Sequence, residues 1–184
     1  MFSTEQLIDD CRSALAGGSP APAIKELVQR AISHPLQVTR ALGPPLRSGI
    51  IPLYQSPELT ILNVVWGPGM SLYPHDHRMW AVIGVYEGQE DNAFFHRTPT
   101  GLVKASAKQL EAGDTVLLGE QTVHAVTNPL GRCTGALQIY GGDFFKVARS
   151  ESDPETLQER PFDMERARQV FSDANDRLCA GPRG

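Results

Sequence analysis

The stretch Gly69-Met70-Ser71-Leu72-Tyr73-Pro74-His75-Asp76-His77 carries a His-x-His pair. On a strand, residues i and i+2 point to the same face, so both imidazoles can reach one point. That geometry suits a transition metal, for which imidazole is a common protein ligand. Forty-seven residues after His77 comes His124, in Gly113-Asp114-Thr115-Val116-Leu117-Leu118-Gly119-Glu120-Gln121-Thr122-Val123-His124-Ala125-Val126-Thr127-Asn128. A neighbouring strand of a barrel would bring it beside the first pair.

The texture around these segments supports a barrel. From residue 46 to 147, runs rich in β-branched and aromatic residues alternate with Gly/Pro punctuation: Leu59–Trp66, Ala81–Tyr86, Asn92–Arg97, Gly101–Leu110, Thr115–Leu118, Val123–Thr127 and Thr134–Tyr140. Turn signals roughly every 8–12 residues imply an antiparallel sandwich or barrel, not βαβ units. Residues 1–45 read as an N-terminal helical extension of two helices. Ser3 and Gln6 resemble a capping box, Pro35 ends the second helix, and His34 caps its C-terminus. Residues 148–184 read as a C-terminal helical extension, with Asp153-Pro154 as its start and Val170, Phe171, Ala174 and Leu178 as its apolar stripe. The whole is one domain.

Composition excludes several classes of function. The chain has 184 residues, 17 basic against 21 acidic, for a net charge of −4. With no basic block, nucleic acid and anionic membrane are poor partners. No apolar run approaches the ~18 residues of a membrane span, and Met1–Leu15 lacks the pattern of a signal peptide. Three widely spaced cysteines, Cys11, Cys133 and Cys179, do not make a disulfide framework, so a reducing cytoplasm is expected. Of the five histidines, His34 and His96 read as structural or surface residues.

The two histidine segments resemble the cupin superfamily. Gly69, His75, His77 and Gly88 match its first motif, and Gly113, His124 and Asn128 its second, with Gly119 and Gln121 in place of a Pro and a Gly. The resemblance covers roughly residues 58–142. It implies an all-β, double-stranded β-helix (RmlC-like jelly roll) carrying the N- and C-terminal helices, and it allows a homodimer. The glutamate ligand usual in cupins would fall at Ala81 or Val82, neither of which coordinates metal. Three neutral ligands, His75, His77 and His124, resemble the thiol dioxygenases, and Leu59–Gly69 is similar to the cysteine dioxygenase approach to its metal.

That resemblance implies Fe(II), O₂ and a small thiol substrate oxidised to a sulfinate. Losing the carboxylate of a two-His, one-carboxylate iron site leaves charge that a substrate thiolate would neutralise. Zn²⁺, Mn²⁺ or Ni²⁺ are the competing occupants, giving an isomerase or lyase, and a non-catalytic small-molecule-binding cupin is a third alternative. The family's Ser-x-His-x-Tyr run corresponds to Ala136-Leu137-Gln138-Ile139-Tyr140, making Gln138 and Tyr140 the candidate catalytic residues beside the metal. A substrate carboxylate calls for an arginine. Arg47 is the upstream candidate, Arg78 and Arg97 are alternatives, and Tyr73 would line the pocket mouth from the ligand face. Glu87, Glu90 or Asp91 could swing in as a fourth ligand.

Overall fold

The computed structural model describes residues 2–180. Helices α1 (Thr4–Leu15), α2 (Pro20–Ile32) and α3 (Pro35–Leu42) precede eleven strands, and α4 (Met164–Ala180) follows them. The strands are β1 (Gly49–Gln55), β2 (Thr60–Trp66), β3 (Ser71–Asp76), β4 (Ala81–Glu87), β5 (Gln89–Thr98), β6 (Gly101–Glu111), β7 (Thr115–Leu118), β8 (Val123–Thr127), β9 (Thr134–Tyr140), β10 (Ser150–Ser152) and β11 (Glu159–Pro161).

The pairing is nested. β5 pairs with β6, β4 with β7, β3 with β8 and β2 with β9, all antiparallel. The chain therefore makes one long two-stranded ribbon, bent at the β5–β6 turn. Wrapping that ribbon puts alternate segments in opposite sheets, ordered β1-β2-β9-β4-β7 and β11-β10-β3-β8-β5-β6. The β4–β9 and β5–β8 ladders seal successive turns of the coil. This is the double-stranded β-helix, the cupin type of jelly roll.

The barrel has two apolar layers. Inward residues such as Leu62, Val64, Ile83, Ala136 and Tyr140 fill the interior. Outward residues Ile61, Val82, Leu137 and Ile139 pack under Ile24, Val28, Ile32 and Val38 of the helices. Both faces of the central strands are covered, so β2 and β9 are buried at every position. Gly84 sets how closely α2 approaches: a Cβ there would meet Val28 Cγ1 at 2.4 Å.

Two helix boundaries differ from the sequence expectation. Pro35 does not end helical structure; its fixed φ suits the first turn of α3, and His34 sits at that helix's N-cap, exposed. Ser3 caps α1 as expected, its Oγ accepting from Gln6 N at 3.2 Å, but the Gln6 side chain bonds Asp10 instead of closing a capping box. Asp153-Pro154 opens a turn, not a helix: Asp153 Oδ1 accepts from Glu155 N and Thr156 N, and the chain returns as β11. The helix starts at Met164, where Asp163 Oδ1 takes the N–H groups of Glu165 and Arg166. Residues 181–184 of the expected C-terminal extension lie outside the described residues.

α4 lays Ala167, Phe171 and Ala174 against the interior cluster, with Phe171 5.3 Å from the Trp66 ring. Asn175 clasps Ser48, accepting from Ser48 N at 2.8 Å and donating to Ser48 O at 3.0 Å. No helix among the described residues is long and apolar enough to cross a membrane.

Candidate metal centre

β3 and β8 lie side by side with His75 opposite His124, and His77 follows at the end of β3. One ring nitrogen from each of the three lies within 4.8 Å of the others, and all three side chains are buried. His124 Nε2 and His77 Nε2 are 3.3 Å apart. Two nitrogens bound to one tetrahedral Zn²⁺-like ion at ~2.0–2.1 Å would stand about 3.3 Å apart, so the spacing fits a shared cation.

The opposite ring edges fix the tautomers. His75 Nδ1 faces the Tyr73 carbonyl at 2.9 Å, and His124 Nδ1 faces Asn92 Oδ1 at 2.8 Å. Both partners only accept, so each Nδ1 carries the proton and each Nε2 keeps its lone pair for a metal. His77 Nδ1 is buried without a partner. Burial also keeps the rings neutral. It lowers His75 to about 4, and holds His77 and His124 well below the usual imidazole range, with neighbouring imidazoles adding to the effect. Neutral, buried, convergent imidazoles are what a metal site requires.

Asp76, between the two ligands, points the other way. It is fully buried and holds Arg78, Arg97 and the Ser150 amide, tying the β10–β11 hairpin to β3. Arg78 follows His77 in the left-handed region, φ 54°, a conformation uncommon outside glycine that turns the chain away from the cavity.

The cavity at the histidines has a volume of about 30 Å³, and its walls are largely apolar. Gln138 and Tyr140 line it, as their shared strand face predicts. The Tyr140 hydroxyl donates to Gln138 Oε1 at 2.5 Å, and its ring lies 4.9 Å from that of His77. Burial raises the Tyr140 phenol, so it stays a proton donor. Phe144, Phe162 and Phe171 close the cavity from the C-terminal side.

Arg149 is the residue that sequence reasoning missed. Its guanidinium carbon lies 4.1 Å from the ring centroids of both Phe144 and Phe162, two walls of the cavity. It is 8% exposed, and Nη1 donates to the Phe144 carbonyl while Nε and Nη2 have no partner. Its charge acts on His75, His77 and Tyr140, while its side chain lines an outer cleft with Arg78, Ser150 and Arg160 and not the histidine cavity itself. The available signal was a basic residue framed by Phe144, Phe145 and Phe162.

The other arginines stand elsewhere. Arg47 is exposed in a separate cleft between β1 and α4, beside Phe145 and Arg168. Arg78 and Arg97 are engaged by Asp76 and Glu159, outside the histidine cavity. Tyr73 does not line the cavity. The ladder register shifts between Leu72 and His75, and it is Leu72 that reaches the cavity wall. The Tyr73 hydroxyl is buried instead near Glu151, without a hydrogen-bond partner. Among the described residues no carboxylate joins the three histidines. Ala81, at the usual glutamate position, packs into the core. Glu90 does turn inward, but toward Trp66 and Asn92.

The sequence matches no protein-family model. Similar solved structures include a Klebsiella pneumoniae protein with a double-stranded β-helix domain, 12% identical over 57% of this chain and 79% of that one, TM-score 0.47. A cupin-family protein from Methanocaldococcus jannaschii is 10% identical over 53% and 83%, TM-score 0.44. A Cupin 2 conserved barrel domain protein from Salinispora arenicola is 20% identical over 47% and 65%, TM-score 0.38.

Proposed function

We propose that this cupin-fold chain is an Fe(II)-dependent dioxygenase that oxidises a small thiol bearing a carboxylate to the corresponding sulfinate. The observation that carries the reading is the pairing of three buried neutral imidazoles, with no carboxylate among them, and a buried guanidinium that packs on two phenylalanines of the same cavity and keeps Nε and Nη2 without a partner. His75, His77 and His124 would hold a divalent ion without lowering its charge, which would favour an anionic thiolate as substrate. Iron would supply the redox chemistry between thiolate and O₂, and the balance is RS⁻ + O₂ → RSO₂⁻.

The chain's own residues do the rest. Arg149 Nε and Nη2 offer two parallel donors, a geometry matched to a carboxylate. Stacked between Phe144 and Phe162, the guanidinium is held in one plane before substrate arrives. The Tyr140 hydroxyl, its proton held by Gln138, turns its oxygen lone pairs as an acceptor toward the reacting end of the substrate. The phenylalanine walls exclude water, which strengthens each of these contacts.

The test is O₂ uptake by the Fe(II)-loaded protein with cysteine, 3-mercaptopropionate and cysteamine. Uptake with one of the two acids and little with cysteamine is expected. No uptake with any of the three overturns the reading. The 3.3 Å nitrogen spacing also suits tetrahedral Zn²⁺, and so a hydrolytic or lyase reaction. Stoichiometric Zn²⁺ without iron in the purified protein would favour that second reading.

A further inference from the structure

Behind His124 runs a chain of buried polar groups. Asn92 Oδ1 faces His124 Nδ1 at 2.8 Å, and Asn92 Nδ2 donates to Glu90 Oε1 at 3.1 Å. The other carboxylate oxygen, Oε2, accepts from Trp66 Nε1 at 2.8 Å. Glu90 is fully buried, Asn92 and Trp66 nearly so. Among the described residues no cation pairs with Glu90, and its two hydrogen bonds both come from neutral groups.

An asparagine amide is two-faced: one end donates, the other accepts. A carboxylate is not, because when ionised it only accepts. Glu90 therefore forces the NH₂ end of Asn92 toward itself and the carbonyl end toward His124. The carbonyl in turn demands a proton on His124 Nδ1, which leaves Nε2 free to bind a metal. Trp66, which only donates, holds the carboxylate in place from the far side.

We infer that Glu90 is a positioning residue that sets the metal-binding tautomer of His124 through the orientation of Asn92. The inference rests on the reading that the three histidines bind a metal. It also accounts for a buried carboxylate standing two hydrogen bonds behind a ligand instead of in the ligand set. The Glu90 carboxyl group stands behind His124, so it orders a ligand without occupying a coordination position.

Glu90→Gln breaks the logic while keeping the shape. Trp66 takes the oxygen of the substituted amide, whose NH₂ then faces Asn92. Asn92 turns over, presents its own NH₂ to His124 Nδ1, and drives the proton to Nε2. Co(II) titration followed by its visible absorption should show affinity about 10–100-fold below that of the unaltered chain, the range for lost partners of metal ligands. The double variant Glu90→Gln, Asn92→Asp restores the order. Its new carboxylate accepts from both His124 Nδ1 and the new amide, and the amide oxygen still accepts from Trp66. Co(II) affinity should return to within several-fold of the original.

Nitrogen-15 NMR of the metal-free proteins reads the tautomer directly, and its dispersion reports whether each variant is folded. His124 should be protonated at Nδ1 in the original and double-variant chains and at Nε2 in Glu90→Gln. An unaltered chain that binds no Co(II) overturns the metal centre and this inference with it. Co(II) binding by Glu90→Gln at full affinity, or a folded Glu90→Gln with His124 still protonated at Nδ1, overturns the inference alone. Failure of the double variant to recover affinity does the same.

Discussion

The Arg149 guanidinium carbon lies 4.1 Å from the centre of the Phe162 ring, in a plane of contact that leaves two of its nitrogens without partners. A buried cation with unused donors is a stability liability, offset here by two aromatic faces at roughly 0.5–2 kcal/mol each. Arg149→Met keeps the bulk and removes the charge. Melting temperature should stay level or rise, while KM for a carboxylate-bearing thiol rises by about 10–100-fold, the worth of a charge-assisted hydrogen bond. An unchanged KM would remove Arg149 from substrate binding.

Metal should stabilise the fold measurably, because the three ligands come from β3 and β8 and their convergence exists only when those strands pair. At free ion one hundred times Kd, linkage adds about 2.7 kcal/mol. For a chain of this size that is roughly 5–10 °C in melting temperature. His75→Ala or His124→Ala should abolish the increment, and a melt insensitive to metal and chelator would contradict it.

Acid should destabilise the metal-free protein. A histidine in the unfolded chain takes up its proton near 6.5, whereas His75 when folded does so near 4, and His77 and His124 also lie well below the usual range. As pH falls below 6.5 the unfolded state binds the extra protons, so stability present above 6.5 is lost on the way to 4. For His75 alone the loss approaches about 3 kcal/mol. Glu90 works in the opposite sense. Burial raises it from 4.5 to about 7, so its contribution is full below 4.5 and is lost as pH rises through 7. Urea unfolding in EDTA between pH 7.5 and 4.5 should show a net fall in stability toward acid, steeper in Glu90→Gln.

Gly84→Ala tests how the helical layer is seated. The added methyl would meet Val28 Cγ1 at 2.4 Å and Ile32 Cδ1 at 3.2 Å, so α2 must lift from β4. Overpacking of this kind costs about 1–3 kcal/mol. Chemical denaturation should show that loss with Co(II) affinity unchanged, since the contact lies on the barrel face away from the histidines.

The ribbon that forms the barrel was legible because most of its paired runs are rich in β-branched or aromatic residues and are set off by Gly, Pro or Asn. The edge strand β1 was not, since Pro52 interrupts Gly49–Gln55 and its burial is mixed. The histidine trio was legible because spacing alone puts His75 and His77 on one face. Tyr73 was misplaced for the same reason: a shift in register between Leu72 and His75, invisible in sequence, broke the alternation. Arg149 was illegible for a different cause. Its surroundings, Lys146-Val147-Ala148-Arg149-Ser150-Glu151, straddle the expected end of the barrel at 147 and the start of the C-terminal helical extension. Its burial depends on Phe144 and Phe162 meeting across the β10–β11 hairpin. Local pattern cannot report a contact made by irregular segments that far apart in the chain.

The chain order of the cavity wall has a consequence for how such a protein can change. His75, His77 and His124 all precede β9, and Phe144, Phe162 and Phe171 all follow it. The three imidazoles thus come wholly from the barrel, while the cavity around them is shared between barrel residues such as Leu72, Val126 and Tyr140 and the aromatic stretch that follows. Exchange of the stretch after Tyr140 would reshape one wall of the cavity while leaving the three imidazoles in place.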